Sequence, residues 1–308
     1  MRAVLFPGQG SQFVGMGLDF HQKYDSVKKI FETVDKTLGY SLSSIIFEGP
    51  EDKLKMTENT QPAIMAVGVS IFKVLNETFS LNLNNSKFFA GHSLGEYTAL
   101  VCAGSLSLEK ATYLLNERGK AMQNSVPENQ GSMLAVIGMT IDEVNKEINL
   151  LNKNGVCEIA NDNTNGQVVV SGNRDEIKIL HENLKNKKKK GIILPVSAPF
   201  HCSLMKEAAT IMSDKILDTE FLQPQPQIIS NVTAKRENNT SKIKNLLIEQ
   251  ITSRVRWRES VNYMISEGIS DFIEIGPGKV LSGLVKKINK NVNLLNISST
   301  EDLKNDKL

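Results

Sequence analysis

Cysteine is scarce in this chain of 308 residues: Cys102, Cys157 and Cys202 are all it has. They are few, odd in number and far apart, which excludes a disulfide framework and a cysteine-based zinc site and suits a reducing compartment. Long apolar runs are missing as well. No stretch approaches the ~18 to 20 residues that cross a bilayer, so no membrane partner is expected. The opening MRAVLFPGQG is already strand and turn, with no signal-peptide segment before it. The expected location is the cytoplasm, or an organelle after removal of a targeting segment. Charge of one sign is also lacking. Lys and Arg total 36 against 34 Asp and Glu, and the net +2 leaves no electrostatic footprint for nucleic acid. Repeats and low-complexity tracts are absent, apart from the lysine run between Lys185 and Lys190. That run reads as a solvated helix end.

What is present is a globular composition, 40% hydrophobic and 23% charged, enough for one large domain or a large domain with an insert. Ala3 to Phe6 reads as a buried strand that breaks at Pro7-Gly8-Gln9-Gly10-Ser11. A helix is expected to begin near Thr60, with Pro62 in its first turn. Phe88 to Ala90 reads as a second strand. A helix from about Ser107 to about Asn124 carries an apolar stripe through Ala111, Leu114, Leu115 and Met122.

The stretch from Met133 to Val196 has a rhythm of its own. MLAVIG is a strand, Thr140 to Glu143 a capping box that starts a helix, CEIAN and QVVVSG two strands joined by a loop. A helix over Asp175 to Asn186 and a strand GIILPV follow. The order βαββαβ is that of a small ferredoxin-like unit. It divides the chain into a larger α/β unit, 1–127 and 197–308, and an insert, 128–196. Beyond it lie a helix after His201, a strand QIISNV, a helix up to Trp257 and on to Met264, and a strand DFIEIG ending at the turn Gly276-Pro277-Gly278. The residues from about Ser298 are expected to fray.

Gly91-His92-Ser93-Leu94-Gly95 fits G-x-S-x-G, with a strand before it and a helix after it. The flanking glycines permit a turn sharp enough to push Oγ out over the sheet edge. The helix N-terminus then favours negative charge developing there. Such a serine needs a base, and the chain has four histidines. His92 is adjacent and points away in a sharp turn. His181 lies among polar residues of a surface helix, and His21 reads as structural. His201 sits in the loop Val196-Ser197-Ala198-Pro199-Phe200-His201-Cys202, where functional residues concentrate. Either it is the base or it is a satisfied loop histidine. Cys202 reads as packing. Arg118 falls in the middle of an apolar helix stripe, where an unpaired guanidinium is costly. It therefore needs a carboxylate, from the protein or from an acidic substrate.

These residues and several others resemble the malonyl-CoA:acyl carrier protein transacylase family of fatty-acid synthesis. The resemblance lies in Phe6-Pro7-Gly8-Gln9-Gly10-Ser11-Gln12, Gly91-His92-Ser93-Leu94-Gly95-Glu96, Arg118-Gly119-Lys120 with Met122-Gln123, and Ala198-Pro199-Phe200-His201. Val255-Arg256-Trp257 and Glu274-Ile275-Gly276-Pro277-Gly278-Lys279 complete it. The motifs keep the family's order from residue 6 to about residue 284. The resemblance implies an α/β-hydrolase-like core with a mostly parallel sheet, beside a ferredoxin-like subdomain. It implies transfer of malonyl from malonyl-CoA to the phosphopantetheine thiol of acyl carrier protein, without cofactor or metal, by a chain that is monomeric. It implies Ser93 as nucleophile and His201 as base, with the backbone carbonyl of Gln250 orienting the imidazole. The N–H groups of Gln9 and Leu94 would form the oxyanion hole, and Arg118 would bind the free malonyl carboxylate. No acidic triad member is implied, so Asp271 and Glu274 have no such role. Leu94 and Phe200 resemble the malonyl-selective pattern, from which Pro199 departs slightly. Asn161 and Asn163, in the loop between two insert strands, resemble asparagines near the family's cleft, and also suit plain turn chemistry.

Overall fold

Four consecutive residues of β1 (Arg2–Phe6), Ala3 to Phe6, have no exposed surface, because both faces of this strand are covered. In the computed structural model, which describes residues 1–79, 81–151, 154–196 and 198–304, β1 lies at the centre of the larger of two sheets. The other strands of that sheet are β2 (Phe88–Gly91), β7 (Gln227–Ile229), β8 (Arg236–Glu237), β9 (Asp271–Ile275) and β10 (Asn293–Ile297), in the order β10-β9-β1-β2-β7-β8. Every pairing is parallel except β7 with β8. The expected mostly parallel α/β sheet is present.

The smaller sheet holds β3 (Gly131–Ile137), β4 (Cys157–Thr164), β5 (Gln167–Asn173) and β6 (Lys190–Ile193), in the order β4-β5-β3-β6. All its pairings are antiparallel, and helices Ile141–Asn149 and Arg174–Asn186 follow β3 and β5. That is the ferredoxin-like arrangement. The capping box is formed: Thr140 Oγ1 accepts from the Glu143 N–H, and the Glu143 carboxylate accepts from the Thr140 N–H.

Parallel pairing decides what meets at the sheet edge. Phe6 of β1 lies opposite Gly91 of β2, and Ala90 of β2 opposite Ile229 of β7. Three loops therefore leave the same C-terminal edge side by side: Pro7 to Gly10, His92 to Ser93, and Ser230 to Asn231. This is where open α/β sheets gather their functional groups.

Two helices back this edge. Thr57–Thr78 is buried over most of its circumference, and Leu108–Asn124 crosses it. A Cβ on Gly119 would stand 2.5 Å from Glu58 Cα, so the helices touch backbone to backbone. The first of them starts at Thr57, three residues before the expected point, which puts Pro62 inside it rather than in its first turn. Proline there leaves the Glu58 carbonyl without its helical donor. Asn116 Nδ2 supplies one at 3.0 Å, which is how the helix extends through the proline.

Four other expectations are corrected. The single helix expected through Trp257 is two, Thr240–Gln250 and Trp257–Ser266. Between them Val255 bridges to β4, donating to Ala160 O at 2.7 Å and accepting from the Asp162 N–H at 2.9 Å. Asp162, with no exposed surface, also pairs with Arg258 at 2.8 Å, so the two sheets are tied at this point. The lysine run is not simply a helix end: its helix stops at Asn186, Lys188 turns with φ 55°, and Lys190 opens β6. The segment from Ser298 does not fray up to Lys304, because Asp302, within the 3-10 turn Thr300–Lys304, accepts from the N–H groups of Ser298 and Ser299. Finally, Asn161 and Asn163 lie within β4 rather than in the loop after it. No helix among the described residues is long and apolar enough to cross a membrane.

Candidate active site

Ser93 has φ 55°, a strained value for a residue with a side chain, at the turn from β2 into the helix Gly95–Cys102. Both flanking glycines are required by space. A Cβ on Gly91 would fall 1.9 Å from Gly95 C, and one on Gly95 would fall 2.3 Å from Phe6 O. The neighbouring loop packs as closely, since a Cβ on Gly8 would stand 2.5 Å from His92 O. The turn is held by Asn231, whose Oδ1 accepts from the Ser93 N–H at 2.7 Å and whose Nδ2 donates to Gly91 O at 2.7 Å. Ser93's own N–H is therefore engaged. Among the described residues, the N–H groups of Leu94 and Gln9 have no acceptor.

His201, on the loop after β6, is also left-handed, with φ 58°. Its Nε2 lies 2.7 Å from Ser93 Oγ, and its Nδ1 lies 2.8 Å from Gln250 O. A carbonyl only accepts, so Nδ1 carries the proton and Nε2 is left to receive one from the serine. Burial, and then the nearby Arg118 charge, push the imidazole down to about 3, so it is neutral at ordinary pH. Of the loop leading to it, Ser197 lies outside the described residues.

Arg118 is 1% exposed. Nη1 donates to Gln61 Oε1 at 2.7 Å, and Nη2 to Gln250 Oε1 at 2.9 Å and to Ser93 Oγ at 3.2 Å. Its guanidinium lies 5.8 Å from the centre of the Tyr97 ring, and Nε is buried without a partner. Among the described residues no carboxylate forms an ion pair with it, although the sequence demands one. The guanidinium is held by neutral amides, next to the serine, with the Glu96 carboxylate across the Gln250 amide from it.

The remaining candidates separate cleanly. His92 Nε2 lies 3.0 Å from Asn163 Oδ1, and its ring centre is 5.6 Å from that of Trp257, so it faces away from Ser93 Oγ. Asn163 thus supports the residue before the serine, which turn chemistry does not describe. Asn161 bridges to Val255 and keeps a buried Oδ1 without a partner. His21 packs against Phe31 and Phe47. Cys202 donates to Pro199 O, and burial pushes its thiol up to about 11, an inert packing group. Glu274 accepts from the N–H groups of Leu281 and Ser282, capping the helix Val280–Ile288. Asp271, at the start of β9, bonds Ser270 and Asn293.

Three participants were missed by sequence reasoning. Asn231 and Gln61 are buried amides bonded to the serine turn and to Arg118. Glu96, 1% exposed, accepts from Gln250 Nε2 at 2.8 Å and from the Asn231 N–H at 3.1 Å. For Glu96 the signal available was its place inside the serine motif, and for Asn231 its position at the end of an apolar strand; Gln61, after the polar run Thr57 to Thr60, gave none.

Residues 4–303 match the family model described as acyl transferase domain. The malonyl CoA-acyl carrier protein transacylase of Bacillus subtilis is 41% identical over 98% of this chain and 94% of its own length. That of Escherichia coli K12 is 38% identical over 93% of this chain and 92% of its own. The crystal structure of the acyl-carrier-protein-S-malonyltransferase of Bartonella henselae superposes with a TM-score of 0.95 at 42% identity, over 98% of this chain and 97% of that one. A malonyl-transacylase solved in complex with its type II PKS acyl-carrier protein superposes with a TM-score of 0.94 at 36% identity, over 98% and 97%. Full-length similarity of sequence and of structure agree: the chain belongs to the acyl transferase domain family, among the malonyl CoA-acyl carrier protein transacylases.

Proposed function

We propose that this chain moves the malonyl group of malonyl-CoA to the phosphopantetheine thiol of an acyl carrier protein, through a malonyl ester of Ser93, in type II fatty acid synthesis. One observation carries the substrate choice. A buried guanidinium touches the serine oxygen at 3.2 Å and forms no ion pair with any described carboxylate. An acyl group ending in a carboxylate supplies that charge, whereas acetyl leaves it unpaired in a water-poor site.

The reaction follows from the distances. Ser93 gives its proton to His201 Nε2 as Oγ attacks the thioester carbonyl carbon. The Gln9 and Leu94 N–H groups receive the oxyanion, at a worth of about 3 to 4 kcal/mol for a well-aimed donor. The tetrahedral intermediate collapses, the C–S bond breaks, and CoA leaves with the proton from His201. The carrier-protein thiol then gives its proton to His201, its sulfur attacks the serine ester, and Oγ recovers the proton as the new thioester leaves. The Gln250 carbonyl keeps Nε2 the accepting nitrogen throughout. Three buried free cysteines suit the reducing cytoplasm.

The kinetic test is an initial-rate study with malonyl-CoA and holo carrier protein varied together. The reading expects parallel double-reciprocal lines and a loss of turnover in Ser93→Ala. Intersecting lines, or turnover to free malonate at the rate of transfer, would overturn it.

A further inference from the structure

Glu96 and Arg118 stand at opposite ends of one amide. Gln250 Nε2 donates to Glu96 Oε2 at 2.8 Å, and Gln250 Oε1 accepts from Arg118 Nη2 at 2.9 Å. All three side chains are 1% exposed. We propose that Glu96 is a positioning residue whose negative charge fixes the polarity of the Gln250 amide and thereby holds Arg118 open for the acyl carboxylate.

An amide has two ends of nearly equal size and opposite character. With Glu96 ionised, only its NH2 end can face the carboxylate, so its oxygen must face the guanidinium. Turned over, it would set an acceptor against Glu96 and a donor against a cation. The spacing also matters. A carboxylate placed directly on Arg118 would fill the position the substrate needs. One amide away, it still balances the buried charge, yet leaves Nε unpartnered. The same Glu96 oxygen accepts from the Asn231 N–H at 3.1 Å, and Asn231 in turn holds the Ser93 N–H. That second contact needs only an acceptor oxygen, which Glu96→Gln keeps.

Burial raises Glu96 to about 7. The Asn231 N–H, the Gln250 amide and the Arg118 charge oppose that rise, and Glu237 adds to it. The group therefore changes charge within the working range. Protonated, Glu96 no longer demands the NH2 end, the amide's sense rests on the Ser93 carbonyl, which accepts from Nε2 at 3.2 Å, and the hold on Arg118 weakens.

The proposal rests on Arg118 as the carboxylate site, so the test separates the two. Acylation of Ser93 is followed by stopped-flow and intact mass with malonyl-CoA and with acetyl-CoA, in the wild type and in Glu96→Gln. A wild type without preference for malonyl removes the reading of Arg118 before any variant is made. Given a preference, Glu96→Gln is expected to lower kcat/KM for malonyl-CoA roughly 10- to 100-fold, the worth of one hydrogen bond to a charged group, mainly through KM. Acetyl-CoA should change by less than about threefold. A variant with unchanged preference, or with equal loss on both substrates, overturns the proposal. The wild type supplies an independent reading should the variant not fold. Its malonyl-to-acetyl ratio should fall as pH is lowered through about 7, where the malonyl carboxylate itself stays ionised. A ratio independent of pH across that range also overturns it.

Discussion

The imidazole of His201 donates its Nδ1–H to the main-chain carbonyl of Gln250 at 2.8 Å, so the ring proposed as the base is oriented by a neutral group. A carboxylate in that place would stabilise the imidazolium. Here the Gln250 carbonyl opposes burial and Arg118 only in part, and the ring is held at about 3. On the proposed function, an acyl carboxylate on Arg118 would offset one of the depressing influences. The contact proposed to select the substrate would then also make His201 more basic.

Acid stability should carry the mark of His201. Its folded value, about 3, lies below the ordinary 6.5, so between these values the unfolded chain binds the extra proton. Stability from this group is intact above about 6.5 and declines as pH falls toward 3. The melting temperature of the wild type should drop more steeply than that of His201→Gln between about pH 7 and about pH 5. Parallel curves would contradict this.

Removing the guanidinium should separate the two substrate classes. Arg118→Ala is expected to lower kcat/KM for malonyl-CoA by about 10²- to 10³-fold, as two charged hydrogen bonds are lost. Transfer of acetyl should hold or improve, because His201 and Ser93 Oγ are both released from the positive charge. Arg118→Lys should recover only a part, since an ammonium cannot reproduce the fork to Gln61 and Gln250. Equal losses on both acyl groups would place Arg118 in the framework instead.

Gly119 offers a test of packing. Gly119→Ala puts a methyl 2.5 Å from Glu58 Cα, against backbone that cannot rotate away. The helices must part, at a cost of about 1 to 3 kcal/mol. Because Arg118 is the preceding residue, malonyl preference should fall along with the melting temperature. Thermal melts paired with both substrates decide it.

Asn231→Ala removes the acceptor of the Ser93 N–H and the donor to Gly91 O. We expect about 1 to 3 kcal/mol of lost stability and a lower kcat, with KM for malonyl-CoA little changed. A rise in KM with kcat intact would contradict the assignment of Asn231 to the serine turn.

How much of this was legible depended on how local each cause is. The strand, glycine, serine and helix signals around Ser93 lie within a few residues and were read directly. So was the ferredoxin-like unit, whose periods alternate within short windows. Arg118 was legible because a charge on an apolar stripe contradicts its surroundings. Glu96 was printed inside a motif and still missed, since its two partners lie 154 and 135 positions away. The break before Trp257 was missed for a related reason: it is imposed by Ala160 and Asp162 on another sheet, and nothing local in Thr240 to Trp257 signals it. Pro62 marked a helix start by rule, and only Asn116, on a different helix, explains why the helix continues through it.

On the proposed function Ser93 carries an acyl group with a free carboxylate, chosen by Arg118, and the intact mass of the protein tests this most directly. After mixing with malonyl-CoA, the protein should gain one malonyl group, mapped to Ser93 and discharged by holo carrier protein. Acetyl-CoA should give far less adduct. An equal acetyl adduct would contradict the role of Arg118, and CoA release with no adduct on Ser93 would contradict the covalent mechanism itself.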